Sequence, residues 1–102
     1  MLASFAVVPV GAGEELKELI AELVPIMEKS GLPYVMGAMQ TTIEGEPEQV
    51  MKLIMACHGH MRKRAARVLT HIAIDDREGA KGRLKGKVGD VEKALGRKIS
   101  HE

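Results

Sequence analysis

The chain opens on an alternation that is apolar both ways. Across residues 2–10, Ala3, Phe5, Val7 and Pro9 fall on one side of an extended chain, and Leu2, Ser4, Ala6, Val8 and Val10 fall on the other. Period-two spacing with apolar side chains on both sides predicts a strand covered on both faces. Gly11-Ala12-Gly13 predicts the turn that ends it. From residue 14 to 30 the period changes, and Leu16, Leu19, Ile20, Leu23, Val24 and Met27 recur at helical spacing. Glu14 and Glu15 suit the positive start of that helix, Lys29 its negative end, and Gly31 its cap. Pro25 lies inside the pattern, removes one backbone bond and predicts a kink.

Residues 33–38 predict a second strand with Tyr34, Met36 and Ala38 on one face, and residues 39–44 a third, after a tight reversal near Gly37 and Gln40. Pro47 suits the first position of a helix behind Glu46. That helix is predicted to run to about residue 63, with Val50, Ile54, Cys57 and Met61 as its apolar stripe and Met51, Met55 and His58 beside it. Gly59 inside it costs about 1 kcal/mol relative to Ala. Residues 67–75 predict a fourth strand and residues 76–83 a charged, glycine-bearing loop. A short helix over about 85–97 follows, with Leu84, Val88, Val91 and Leu95 at helical spacing. Gly86, Gly89 and Gly96 weaken it, so docking rather than propensity should hold it.

The order of elements predicts an α+β ferredoxin-like βαββαβ sandwich. It has a four-stranded antiparallel sheet, two helices on one face and an additional C-terminal helix. Residues 1–102 form one domain, with a core over 2–77. Strands one and three are then central. The second apolar side of residues 2–10 needs a cover, which in so short a chain is expected from another subunit. The polar run Gln40-Thr41-Thr42 falls mid-sheet, where each unpartnered polar group costs roughly 1–3 kcal/mol.

Composition narrows the function classes. No apolar run is long enough to cross a membrane. The N-terminus lacks the basic region, apolar block and cleavage site of a secretory signal. With Cys57 alone, this leads to the expectation of a cytoplasmic protein. Up to Met61 there are three Lys and eight Glu (3 − 8 = −5), and from Arg62 onward twelve Lys/Arg and six Asp/Glu (12 − 6 = +6). Such asymmetry fits nucleic acid or an acidic face meeting a basic one of another subunit. With Phe5 and Tyr34 as the only aromatics, the stacking platforms of single-strand binding are missing, which argues against nucleic acid.

Gln40, Thr41 and Thr42 carry donors and acceptors that suit a heteroaromatic ring with an amino group, and a polar cross-strand ladder is the competing use. Cys57, His58 and His60 are metal-ligand types at spacings that do not share a helix face, so neither a metal site nor a nucleophile–base pair is expected. A half-buried Cys57 and His58 beside an exposed His60 is the expectation. Met27, Met51 and Met55 are expected in the core. Arg77, Lys81, Arg83, Lys85 and Lys87 are expected to be a solvated loop or to face the Glu-rich first helix.

Several stretches together resemble the small thiamine-binding protein family. They are Val8-Pro9-Val10-Gly11, Lys29-Ser30-Gly31-Leu32 with Tyr34 after it, Thr42-Ile43-Glu44-Gly45, His58, Arg67-Val68, and Ile72 through Arg77. The resemblance spans residues 2–77. It implies a ferredoxin-like fold, a homotetramer built as a dimer of dimers packed through their sheets, and binding of thiamine or its hydroxymethylpyrimidine part without catalysis. Relatives often carry Met-Gly-Thr where this chain has Met39-Gln40-Thr41.

The expected function is a non-enzymatic binding protein, with that ligand in place of any cofactor and with no metal or membrane. Gln40, Thr41 and Thr42 would take the pyrimidine edge, with Ser4 and Met39 alongside, and His58 and Asp75 would close the site or the subunit interface. The alternative is an oligomeric structural or regulatory module that senses another metabolite or a protein partner.

Overall fold

β1 (Leu2–Pro9) is the spine of the sheet. In the computed structural model, which describes residues 1–101, it pairs antiparallel with β3 (Thr41–Glu44) on one side and β4 (Val68–Asp75) on the other. β2 (Tyr34–Met36) completes the sheet beyond β3, giving the order β2-β3-β1-β4 with all pairs antiparallel. This is the ferredoxin-like arrangement. Both predicted middle strands are shorter than the pattern suggested. Met39 and Gln40 leave the ladder and lie in the reversal, which closes with the Gly37 N–H donating to the Gln40 carbonyl at 2.8 Å.

The first helical stretch breaks in two. A 3₁₀ turn over Gly13–Glu15 leads into α1 (Leu16–Ala21), and α2 (Val24–Ser30) follows. Pro25 is the physical reason. It has no N–H for the Ala21 carbonyl, so the chain passes through a tighter bond, Leu23 N–H to the Ile20 carbonyl at 3.0 Å, and restarts with Pro25 in the first turn, where proline is tolerated. α2 ends at Gly31 with φ +75°, which glycine adopts without the Cβ clash other residues incur. α3 (Pro47–Arg64) is the long helix, and its first turn is tied by the Glu46 N–H donating to Gln49 Oε1 at 3.2 Å.

α1, α2 and α3 lie on one face of the sheet. The core between layers takes Ala3, Phe5 and Val7 from β1 and Ile43 from β3. Leu19, Leu23 and Met27 come from the first helical stretch, and Val50, Leu53, Ile54, Cys57 and Met61 from α3. Leu53 extends the predicted stripe by one position. Met51 packs against this cluster as expected, but Met55, expected inside, is 56% exposed on the far side of α3. Cys57 is fully buried rather than half-buried.

Gly59 is a helical glycine whose absent Cβ would meet no atom within 4 Å. Ala fits that space and loses less entropy on folding. Gly59→Ala should therefore stabilise the fold by roughly 0.5–1 kcal/mol, read as a higher urea midpoint at unchanged slope.

The other sheet face is only partly covered. α4 (Arg83–Leu95) begins on it, two residues earlier than predicted. The Glu44 carboxylate accepts from the Arg83 N–H at 2.9 Å and the Leu84 N–H at 3.1 Å, fixing the helix start from a strand about forty residues away. Lys87 donates to Asp75 at 2.5 Å. No residue of α4 is buried, and Val91 and Leu95 stay exposed, as do Val8, Val10 and Leu69.

Candidate functional site

The register of β1 and β3 decides which candidates can meet. Phe5 faces Thr41 and Ser4 faces Thr42. Neighbours in a strand point to opposite faces. Thr41 therefore turns towards the helices with Phe5, and Thr42 towards the open face with Ser4. A single small ligand does not touch both hydroxyls within one chain.

On the helix side, α1 and the β2–β3 reversal enclose a cleft of about 220 Å³. Its base is Phe5 and Thr41, with Thr41 7% exposed. Leu16, Ile20 and Leu23 form one wall, Met27 and Met36 another, and Met39 and Gln40 stand at the rim. Met39 is 88% exposed, an unusual place for so apolar a side chain. No charged side chain lines the cleft among the described residues. The arrangement offers an apolar slot, soft thioethers, a hydroxyl at depth and an amide at the mouth, which suits a flat, uncharged ring with polar edges.

The other candidates lie elsewhere. Ser4, Thr42 and Asp75 line a shallow hollow on the open face beside Leu2, Ala73 and Lys87. The Lys87 hydrogen bond, and then its charge, hold the Asp75 carboxyl below its ordinary range. Asp75 thus anchors α4 here. His58 Nδ1 is hydrogen-bonded to Thr70 Oγ1 at 2.6 Å, tying α3 to β4 away from the cleft. The structure brings together Met39, Gln40 and Thr41 and separates them from Thr42, Ser4, Asp75 and His58. It adds Met27, expected in the core, together with Phe5, Met36 and the α1 wall, which the sequence pattern gave only as faces of their strands and helix. The signal that could have found them was the pairing of strands one and three, which sets Phe5 beside Thr41.

Two further candidate groups are held in structural positions. His60 is not free in solvent. Its Nε2 meets Glu22 Oε1 at 2.7 Å, and Arg64 approaches Glu22 Oε2 at 3.3 Å, so a carboxylate at the break between α1 and α2 is clamped to α3. Burial pushes the Cys57 thiol up to about 11, so it is protonated at neutral pH and poorly nucleophilic. Among the described residues, no three His, Cys, Asp or Glu side chains gather as a metal-binding group. No helix of the described residues is long and apolar enough to cross a membrane. The predicted basic loop is split. Arg83 and Lys87 lie in α4, paired with Asp90 and Asp75 respectively, and neither faces the Glu-rich first helix.

A family model described as thiamine-binding protein matches residues 3–92. A UPF0045 protein of Mycobacterium bovis is 36% identical over 96 residues, covering 93% of this chain and 94% of that one. The crystal structure of a hypothetical protein from Methanocaldococcus jannaschii superposes with a TM-score of 0.79 at 23% identity, over 93% of this chain and 94% of that chain, and shares the fold. A Thermotoga maritima protein, described as a candidate thiamine biosynthesis/salvage protein, superposes with a TM-score of 0.78 at 27% identity, over 88% of this chain and 96% of that chain.

Proposed function

The chain belongs to the thiamine-binding protein family, and from this we propose that it is a non-enzymatic binding protein that holds thiamine by its hydroxymethylpyrimidine ring, in the cleft between α1 and the β2–β3 reversal. The observation that supports this reading most is the cleft's size and lining. An apolar cavity of about 150 Å³ suffices for benzene. A cleft of about 220 Å³ therefore takes one substituted six-membered ring but not both rings of thiamine. The pyrimidine enters, between Phe5 and the methionines, with Thr41 and Gln40 reaching its amino group and ring nitrogens. The thiazolium stays at the mouth.

Titration calorimetry with thiamine and then with hydroxymethylpyrimidine tests this. Saturable binding of both, near one per chain, is the expected result. Heat from thiamine alone would mean that the thiazolium half is what is read. Silence from both on folded protein would overturn the reading.

We propose in addition that the chain self-associates through its open sheet face as a dimer of dimers, in the cytoplasm. Val8, Val10 and Leu69 are exposed on or beside that face, and α4 leaves Val91 and Leu95 in solvent. A monomer by light scattering at micromolar concentration would contradict this.

A further inference from the structure

We infer that Glu22, His60 and Arg64 are positioning residues for the cleft: they pin the end of α1 to α3 and so hold in place the wall against which the ring packs. The inference rests on the pyrimidine site proposed above and adds residues outside it that act on its affinity. Three observations carry it.

The first is how little else holds the wall. Leu16 and Ile20 belong to α1, Leu23 follows it, and all three line the cleft. α1 has six residues, well under the roughly 12–15 at which an isolated helix becomes even marginally stable. Leu19 is its one buried residue, and Leu16 is 42% exposed. α2 packs along α3, and among the described residues α1 has no comparable packing on α3 or on the sheet.

The second is where the clamp sits. Glu22 ends α1, its N–H bonded to the Glu18 and Leu19 carbonyls. It lies one residue before Leu23, at the break that Pro25 forces. A side-chain attachment at that point fixes the direction in which α1 leaves α2.

The third is that both carboxylate oxygens are used. Oε1 accepts from His60 Nε2 at 2.7 Å, and Oε2 meets Arg64 at 3.3 Å. Residues four apart on a helix share a face, so α3 presents both groups to one carboxylate. Two points of attachment resist rotation of α1 as well as its displacement. Neither His60 nor Arg64 lines the cleft, so their effect on a bound ring runs through α1.

A wall that the ligand itself has to order lowers the apparent affinity by the fraction of chains in which the wall is already in place. All three clamp side chains are at least a third exposed, and an exposed pair of this kind shifts an equilibrium by up to about fivefold. Losing the clamp is therefore expected to weaken hydroxymethylpyrimidine binding by roughly three- to tenfold.

Calorimetry with hydroxymethylpyrimidine tests this on the wild type, Glu22→Ala, His60→Ala, the double variant and His60→Gln, each first checked by thermal melting. Amide hydrogen exchange over residues 16–23 of the ligand-free proteins gives a second readout. The expected result is weaker binding and faster exchange of α1 in both single Ala variants, and a double variant no weaker than Glu22→Ala alone. His60→Gln keeps an N–H donor and should recover much of both losses. Losses that add in the double variant would mean that the two side chains act separately, and would overturn the clamp. Unchanged affinity and exchange in the Ala variants, with the wild type binding, would overturn it too while leaving the pyrimidine site standing. A folded wild type that does not bind hydroxymethylpyrimidine would overturn the site itself, and the clamp's part in it.

Discussion

Ile54→Ala is expected to lower the unfolding free energy by about 2–5 kcal/mol, a large share of the 5–15 kcal/mol that a domain of this size holds. Ile54 is fully buried at the middle of α3. It belongs to the single cluster that joins α3 to β1, to β3 and to the first helical stretch. Removing its side chain deletes the transfer free energy of three carbons and leaves a void. The neighbours decide how far that void relaxes. Phe5 is the one aromatic among the buried core residues described, while Met27 and Met61 are long, unbranched and fully buried. Methionine fills irregular gaps well, so partial collapse should keep the loss in the lower half of the range. Urea unfolding with an unchanged slope measures it. A loss under about 0.5 kcal/mol would mean that α3 does not pack on the sheet as described.

The second large effect concerns the ligand. Thr41→Val keeps the volume and removes the hydroxyl at the base of the cleft. Hydroxymethylpyrimidine affinity should fall by about tenfold, since leaving a buried polar edge of the ring unpaired costs about 1–3 kcal/mol. Thr42→Val is the internal control. Thr42 lies one residue along the same strand, paired with Ser4 on the opposite face. Its substitution should leave affinity within about twofold, well under the 1.4 kcal/mol that a tenfold change requires. Equal losses from both variants would mean that the change acts through the strand and not through contact with the ligand.

These two predictions show what could be read from the chain and what could not. The two-sided strand at residues 2–10 was legible because alternation has a fixed period and both sides are apolar. Its central place in the sheet followed from the order of elements. The kink at Pro25 was legible as a lost hydrogen bond, though its outcome, two separate helices with Pro25 in the first turn of the second, depends on the 3₁₀ bond at Leu23. The polar run Gln40-Thr41-Thr42 was visible, but its division between two faces required the register with β1. The α4 start at Arg83 was hidden because the group that satisfies its first N–H donors, Glu44, is about forty residues away. The Glu22–His60 contact bridges 38 residues between two helices and leaves no local trace. Met55 was misplaced because a methionine beside an apolar stripe fits a core or a surface equally well by pattern. Thiamine as the ligand class came from the resemblance, not from the residues' chemistry, which pointed only to a polar-edged ring.

The central claim is that the ligand sits on the helix side of the sheet, against Phe5 and Thr41. NMR of the methionine, threonine and alanine methyls during titration with hydroxymethylpyrimidine tests it most directly, because methyls line the cleft at Met27, Met36 and Met39, while Met55 lies on the far side of α3 and serves as a reference. The account predicts that the first three shift together and saturate with the calorimetric curve, while Met55 and the methyl groups of Thr42 and Ala73 stay in place. Shifts confined to Thr42 and Ala73, with Met27, Met36 and Met39 unmoved, would put the ligand on the open face and contradict it.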